Sequence, residues 1–271
     1  MSKNMDVSKR KQSIIAGGLI SSAGIFFAKF IGLFYAVPYN SMLGTADNLA
    51  YYGVAFNIYS YLLNICTAGF PFAIATLIAK YSTRGDYQTS LLIKKLSASL
   101  MTCFGFGMMI IVILFSSPLA ALVMPDEGDS VKTMQMVLIL ISFALFFVPL
   151  LSSIRGFYQG LKHMEIYALS QVLEQVARVA FLLSASAIAV YALHTDQVWA
   201  LYFGVISTSI SAILAIMHLK LYDKKQMREL KRLAKTQEVA GNNDRREILK
   251  ELVFIAFPYL IVAILGYSDT I

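Results

Sequence analysis

Apolar residues in this chain come in runs too long for the core of a soluble domain. Stretches at roughly 13–37, 51–79, 97–123, 133–155, 167–192 and 197–219 are dominated by Leu, Ile, Val, Ala, Phe and Met. A helix needs about 20 such residues to cross a hydrocarbon core about 30 Å thick. Each run therefore predicts one transmembrane helix, because only a helix satisfies its own backbone polar groups where water is absent. A seventh run begins near Leu252 and reaches Ile271 before any polar flank. The pattern predicts an all-α, polytopic membrane helix bundle with six full transmembrane helices and a truncated seventh. Residues 1–222 make a six-helix lobe, 223–247 a cytoplasmic basic linker, and 248–271 the start of the seventh helix.

The gaps between runs carry the charge. Lys3, Lys9, Arg10 and Lys11 precede the first run; Lys80, Arg84, Lys94 and Lys95 follow the second. Arg155 and Lys162 follow the fourth, and a densely basic stretch from Lys220 to Lys250 follows the sixth. The alternate gaps hold Lys132 as their one basic residue and carry Asp47, Asp126, Glu127, Asp129 and Asp196. Basic loops stay in the cytoplasm, so the alternation predicts a cytoplasmic N-terminus. Within the linker, Lys224 to Lys235 reads either as a solvated positive-inside segment or as a basic helix on anionic lipid. Gly241-Asn242-Asn243-Asp244 reads as a turn.

Composition agrees. The chain is 58% hydrophobic and 14% charged, against about 25% charged in soluble domains. Its net charge of +7 is distributed between spans and does not form a nucleic-acid-binding face, so no nucleic-acid partner is expected. Cys66 and Cys103 lie inside apolar runs and predict no disulfide. The first apolar run is too long for a signal-peptide core and reads as an uncleaved span.

A charge inside a span is expensive and marks a cavity or a partner. Four residues qualify: Lys29, Glu174, Arg178 and Asp269. Lys29 sits beside a seam of small residues, Gly24, Ala28 and Gly32, spaced for close helix packing. It reads equally as a cation lining a cavity or as a lysine snorkelling to the interface. Glu174 and Arg178 are four apart in the favourable order for an ion pair, on a face extended by Gln171 and Gln175. They form either a structural pair or part of a polar pathway. Asn57 and Asn64 share a face of the second span, where Gly69 and Pro71 allow a kink. Pro149 marks a bend in the fourth span, and Arg155 at its inner end could guide an anionic head group or anchor at the interface. Asp269 is a candidate cation ligand or an interfacial acid. His163, His194 and His218 are isolated and make no metal-ligand spacing. No P-loop or nucleophile elbow occurs, and no acidic cluster suits a glycosyltransferase. The reading is of a non-enzymatic protein with no organic cofactor.

Two stretches resemble a known family. Arg155-Gly156-Phe157-Tyr158-Gln159-Gly160 and Ser170-Gln171-Val172-Leu173-Glu174-Gln175-Val176-Ala177-Arg178 are similar to the polysaccharide-biosynthesis and flippase branch of the MOP superfamily. Within it they resemble Gram-positive lipid II flippases of the YtgP or MurJ type. Phe30 to Pro38 with Gly44, Tyr61 to Pro71, and Lys80 to Tyr87 extend the resemblance over the chain. It implies about fourteen helices in two lobes around a central cavity, working by alternating access as a monomer in the bacterial cytoplasmic membrane. This chain would supply the first lobe and most of the seventh helix, without the second lobe. The implied partner, besides membrane lipids, is a lipid-linked pyrophosphoryl oligosaccharide such as lipid II. Lys29 would align with a cationic first-span position, and Asp269 with an acid that in some members contributes to a sodium site. Na+ or the membrane potential would drive the cycle. Beside this stand two other readings: a MATE-like exporter of cationic drugs, and a fragment that does not transport.

Overall fold

The computed structural model describes residues 22–24, 26–124, 128–242 and 244–268. Among these the architecture is all helical, and seven helices are long and apolar enough to cross a membrane. They are α1 (Ser22–Leu43), α2 (Ala46–Thr67) continued by α3 (Phe70–Thr83), α4 (Tyr87–Leu114), α6 (Asp129–Gly160), α7 (Met164–Ala187), α8 (Val198–Thr236) and α9 (Arg245–Ser268). A short α5 (Ser116–Val123) follows α4, and a π-helical turn, Ile188–Ala192, extends α7.

The second span is one apolar run but two helices. Gly69 at φ +69° breaks it in the left-handed region, and Pro71 in the first turn of α3 fits where no N–H is needed. The third expected span is displaced. Its helix starts at Tyr87, ten residues before the apolar run, and ends at Leu114, so residues 116–123 form a separate short helix. The polar start holds because Asp86 caps it, accepting from the Thr89 N–H at 3.0 Å. Pro149 is accommodated inside an uninterrupted α6. Residues 223–236 continue α8 without a break, and α9 begins at Arg245, seven residues before the expected Leu252.

Packing divides into two buried clusters. One joins α3, α4, α6, α8 and α9 around Ile74, Leu77, Met101, Phe157 and Leu252. The other joins the end of α1 with α2, α6, α7 and α8 around Tyr39, Leu43, Leu138, Ile141 and Val205. Small residues set the closest approaches. A methyl group at Gly156 of α6 would stand 2.8 Å from the Pro71 carbonyl oxygen, and one at Gly160 2.7 Å from that of Ala75. Large apolar side chains such as Phe27, Leu33, Leu122 and Phe254 are exposed, as expected where lipid is the solvent.

At the end of the bundle where the basic residues gather, polar clamps tie the helices together. Lys94 of α4 meets Asp223 of α8 at 2.6 Å, with the Tyr158 hydroxyl donating to the same carboxylate and the Phe157 ring 4.6 Å from the ammonium. Lys80 of α3 meets Glu251 of α9 at 2.7 Å. The Gln237 carbonyl accepts from the Tyr87 and Gln88 N–H groups, both at 2.9 Å. These are first-turn donors of α4 that no intrahelical partner could satisfy.

Candidate functional site

The small-residue seam of α1 lies on α7. A methyl group at Gly24 would meet Ala168 at 3.3 Å, and one at Gly32 the Gln175 amide at 3.0 Å. The contact carries Lys29 onto the wall of a cavity of about 230 Å³ lined by Ala28, Lys29, Gly32, Arg155, Gln171, Glu174 and Gln175. Lys29 is exposed and makes no hydrogen bond or ion pair among the described residues. It is a free cation on a polar wall.

Opposite it two helices, α6 and α7, bring charge together. Arg155 reaches from α6 and places Nη1 2.8 Å from Glu174 Oε2, while its Nε donates to the Ser170 hydroxyl at 2.8 Å. Arg178, one turn beyond Glu174 on α7, sets Nη2 3.3 Å from Glu174 Oε1. One carboxylate thus serves two guanidinium groups. All three side chains are largely buried, with 12%, 13% and 22% exposure for Arg155, Glu174 and Arg178. Arg155 Nη2 and Arg178 Nε are buried with no hydrogen-bond acceptor among the described residues. Three cations against one anion leave the cluster at +2. Glu174 lies ten residues along α7 from Met164, about 15 Å at 1.5 Å per residue.

A ladder of rings extends from this cluster. Tyr35, Tyr39, Tyr52, Phe56 and Tyr59 follow one another with centroids 4.5–6.3 Å apart, and Tyr52 and Tyr59 lie within electrostatic reach of Arg178. The ladder escapes a reading of charges alone. Its signal in the sequence is the spacing 35/39 and 52/56/59, one face on each helix.

The predicted residues therefore divide. Lys29, Glu174 and Arg155 share one cavity, and Arg178 joins it through Glu174. Asn57 and Asn64 are exposed on α2 and do not line this cavity. Asp269 lies outside the described residues, among which no group of three or more His, Cys, Asp and Glu comes together to hold a metal ion.

Residues 14–271 match the family model described as Polysaccharide biosynthesis protein. The chain is 31% identical over 267 residues to Lipid II flippase MurJ of Bacillus subtilis (strain 168), covering 95% of this chain and 48% of that protein. It is 28% identical over 171 residues to Stage V sporulation protein B of the same organism, covering 62% of this chain and 32% of that protein. The chain thus spans about half the length of MurJ, and less of the second relative. Among solved structures, an outward-facing multidrug resistance MATE family transporter of the MOP superfamily superposes with TM-score 0.69 at 16% identity. That match covers 92% of this chain and 52% of the transporter, and it bears on the fold alone. With its seven membrane-length helices, the chain is a multi-pass protein of the bacterial cytoplasmic membrane and belongs to the polysaccharide biosynthesis protein family.

Proposed function

We propose that this chain is the first lobe of a flippase for an anionic lipid-linked pyrophosphoryl saccharide, with lipid II as the substrate. The observation that carries the reading is the charge of the cavity: Lys29 on its wall, with the largely buried Arg155 and Arg178, against Glu174. A pyrophosphate head group cannot enter hydrocarbon unaided. A wet chamber lined by cations lowers that barrier, and guanidinium groups match phosphoryl oxygens in geometry as well as charge. The likeness to Lipid II flippase MurJ over nearly the whole chain supports the saccharide class. A cavity of this sign disfavours the competing reading of a cationic-drug exporter.

The positive-inside rule sets the basic end of the bundle, with Lys80, Lys94 and Lys220, in the cytoplasm. Head groups would then be collected at that side and released at the other. Alternating access follows from two packings a few kcal/mol apart, driven by Na+ or the membrane potential, with Asp269 as a candidate sodium ligand.

The experiment is a depletion rescue. In a bacterium depleted of its own lipid II flippase, the protein restores labelling of lipid II at the outer surface, and Lys29→Ala reaches the membrane but restores none. Full rescue by Lys29→Ala would overturn the role of the cavity. Failure of the unaltered protein to restore labelling, alone and when joined to the remaining length its relatives have, would overturn the flippase reading.

A further inference from the structure

Binding an anion requires cations, yet this cavity also holds a carboxylate between two of them. We propose that Glu174 is a placeholder counterion, occupying in the substrate-free protein the place a phosphoryl group takes between Arg155 and Arg178. The inference rests on the pyrophosphate reading above and adds a role for the one acid that lines the cavity among the described residues.

The geometry is that of a stand-in. A carboxylate that only neutralises one arginine pairs with it through two parallel hydrogen bonds. Glu174 instead divides its oxygens, Oε2 to Arg155 at 2.8 Å and Oε1 to Arg178 at 3.3 Å. Among the described residues each guanidinium is left with a buried nitrogen that has no acceptor, Arg155 Nη2 and Arg178 Nε. A buried donor without an acceptor is a standing cost. Two carboxylate oxygens cannot serve every guanidinium N–H aimed at them. A phosphoryl group has three oxygens and the missing acceptor capacity. Glu174 makes no other hydrogen bond among the described residues, so little besides the arginines holds it. Ser170 keeps Arg155 in place through Nε whether or not the carboxylate is present.

Exchange of one anion for another solves a problem that a purely cationic site leaves open. Without Glu174 the empty protein would hold two guanidinium groups uncompensated in a low-dielectric bundle. A site of that charge would also hold a pyrophosphate too tightly to release it. Return of the tethered carboxylate competes with the phosphoryl group and favours its departure.

The test uses the purified protein in detergent micelles, farnesyl pyrophosphate as the probe and farnesol as the neutral control. Thermal melting and probe affinity are measured for the unaltered protein, Glu174→Gln and Glu174→Asp. Glu174→Gln should melt lower without probe, recover its loss when farnesyl pyrophosphate is added, and bind it about tenfold more tightly. Glu174→Asp keeps the charge but is too short to bridge both arginines, and should follow Glu174→Gln. Farnesol should rescue neither. If Glu174→Asp matches the unaltered protein while Glu174→Gln binds more tightly, Glu174 acts only through net charge and the placeholder role is lost. If Glu174→Gln melts lower and the probe neither rescues it nor binds it better, Glu174 is a strut. If the unaltered protein and both variants ignore the probe, the pyrophosphate reading itself fails.

Discussion

Arg155 of α6 and Glu174 of α7 approach to 2.8 Å across two helices that are otherwise joined by a short connection. The pair converts what would be a simple one-turn ion pair on α7 into a three-residue cluster, since Glu174 also serves Arg178.

That sharing predicts an order of severity. Removing Glu174 strands two buried cations, whereas removing Arg178 leaves Glu174 still paired with Arg155. Breaking a buried pair from one side costs about 3–5 kcal/mol. Glu174→Ala should therefore lower the melting temperature more than Arg178→Ala. A double-mutant cycle on Arg155 and Glu174 should return a coupling of about 1–3 kcal/mol. Additive single and double substitutions would show that the contact does not carry the energy.

Lys29 should behave in the opposite way. It is exposed on the cavity wall and pairs with nothing among the described residues, so Lys29→Ala should abolish lipid II labelling with no loss of thermal stability. Lys29→Arg should retain part of the activity. A large fall in melting temperature for Lys29→Ala would mark it as structural.

Gly69 is held at φ +69°, and a methyl group there would stand 2.6 Å from Cβ of Tyr259 on α9. Backbone strain of this kind costs about 1–3 kcal/mol, and the close approach of the seventh helix adds to it. Gly69→Ala should lower the melting temperature. It should also weaken cross-linking between cysteines placed at Phe72 and Tyr259, whose rings are 5.2 Å apart. Unchanged cross-linking would mean that α9 does not depend on the break.

Gln237 works as a distant cap for α4 through the Tyr87 and Gln88 N–H groups. Loss of a cap costs about 0.5–2 kcal/mol. Gln237→Ala should speed amide hydrogen exchange at Tyr87 and Gln88 while leaving the middle of α4 protected. Equal exchange in both proteins would show that water already serves those donors.

Much of this protein was legible before any coordinates. Six full spans and the start of a seventh follow from run length alone, because lipid imposes one rule on every residue that crosses it and that rule is local. The Gly24, Ala28 and Gly32 seam announced a close helix contact, and the spacing of Glu174 and Arg178 announced their pairing, since both depend only on neighbours along one helix. Boundaries were less visible. The start of α4 at Tyr87 has a local cap in Asp86, but Gln237 and the Lys94–Asp223 clamp, which tie α4 to the end of α8, join partners far apart in sequence. Only the tertiary structure decided that Arg155 meets Glu174, that Lys29 shares their cavity, and that Asn57 and Asn64 do not line it. The sequence determines which side chains each helix offers; which of them meet depends on how helices rotate and cross, and that is set by packing distributed over the whole bundle.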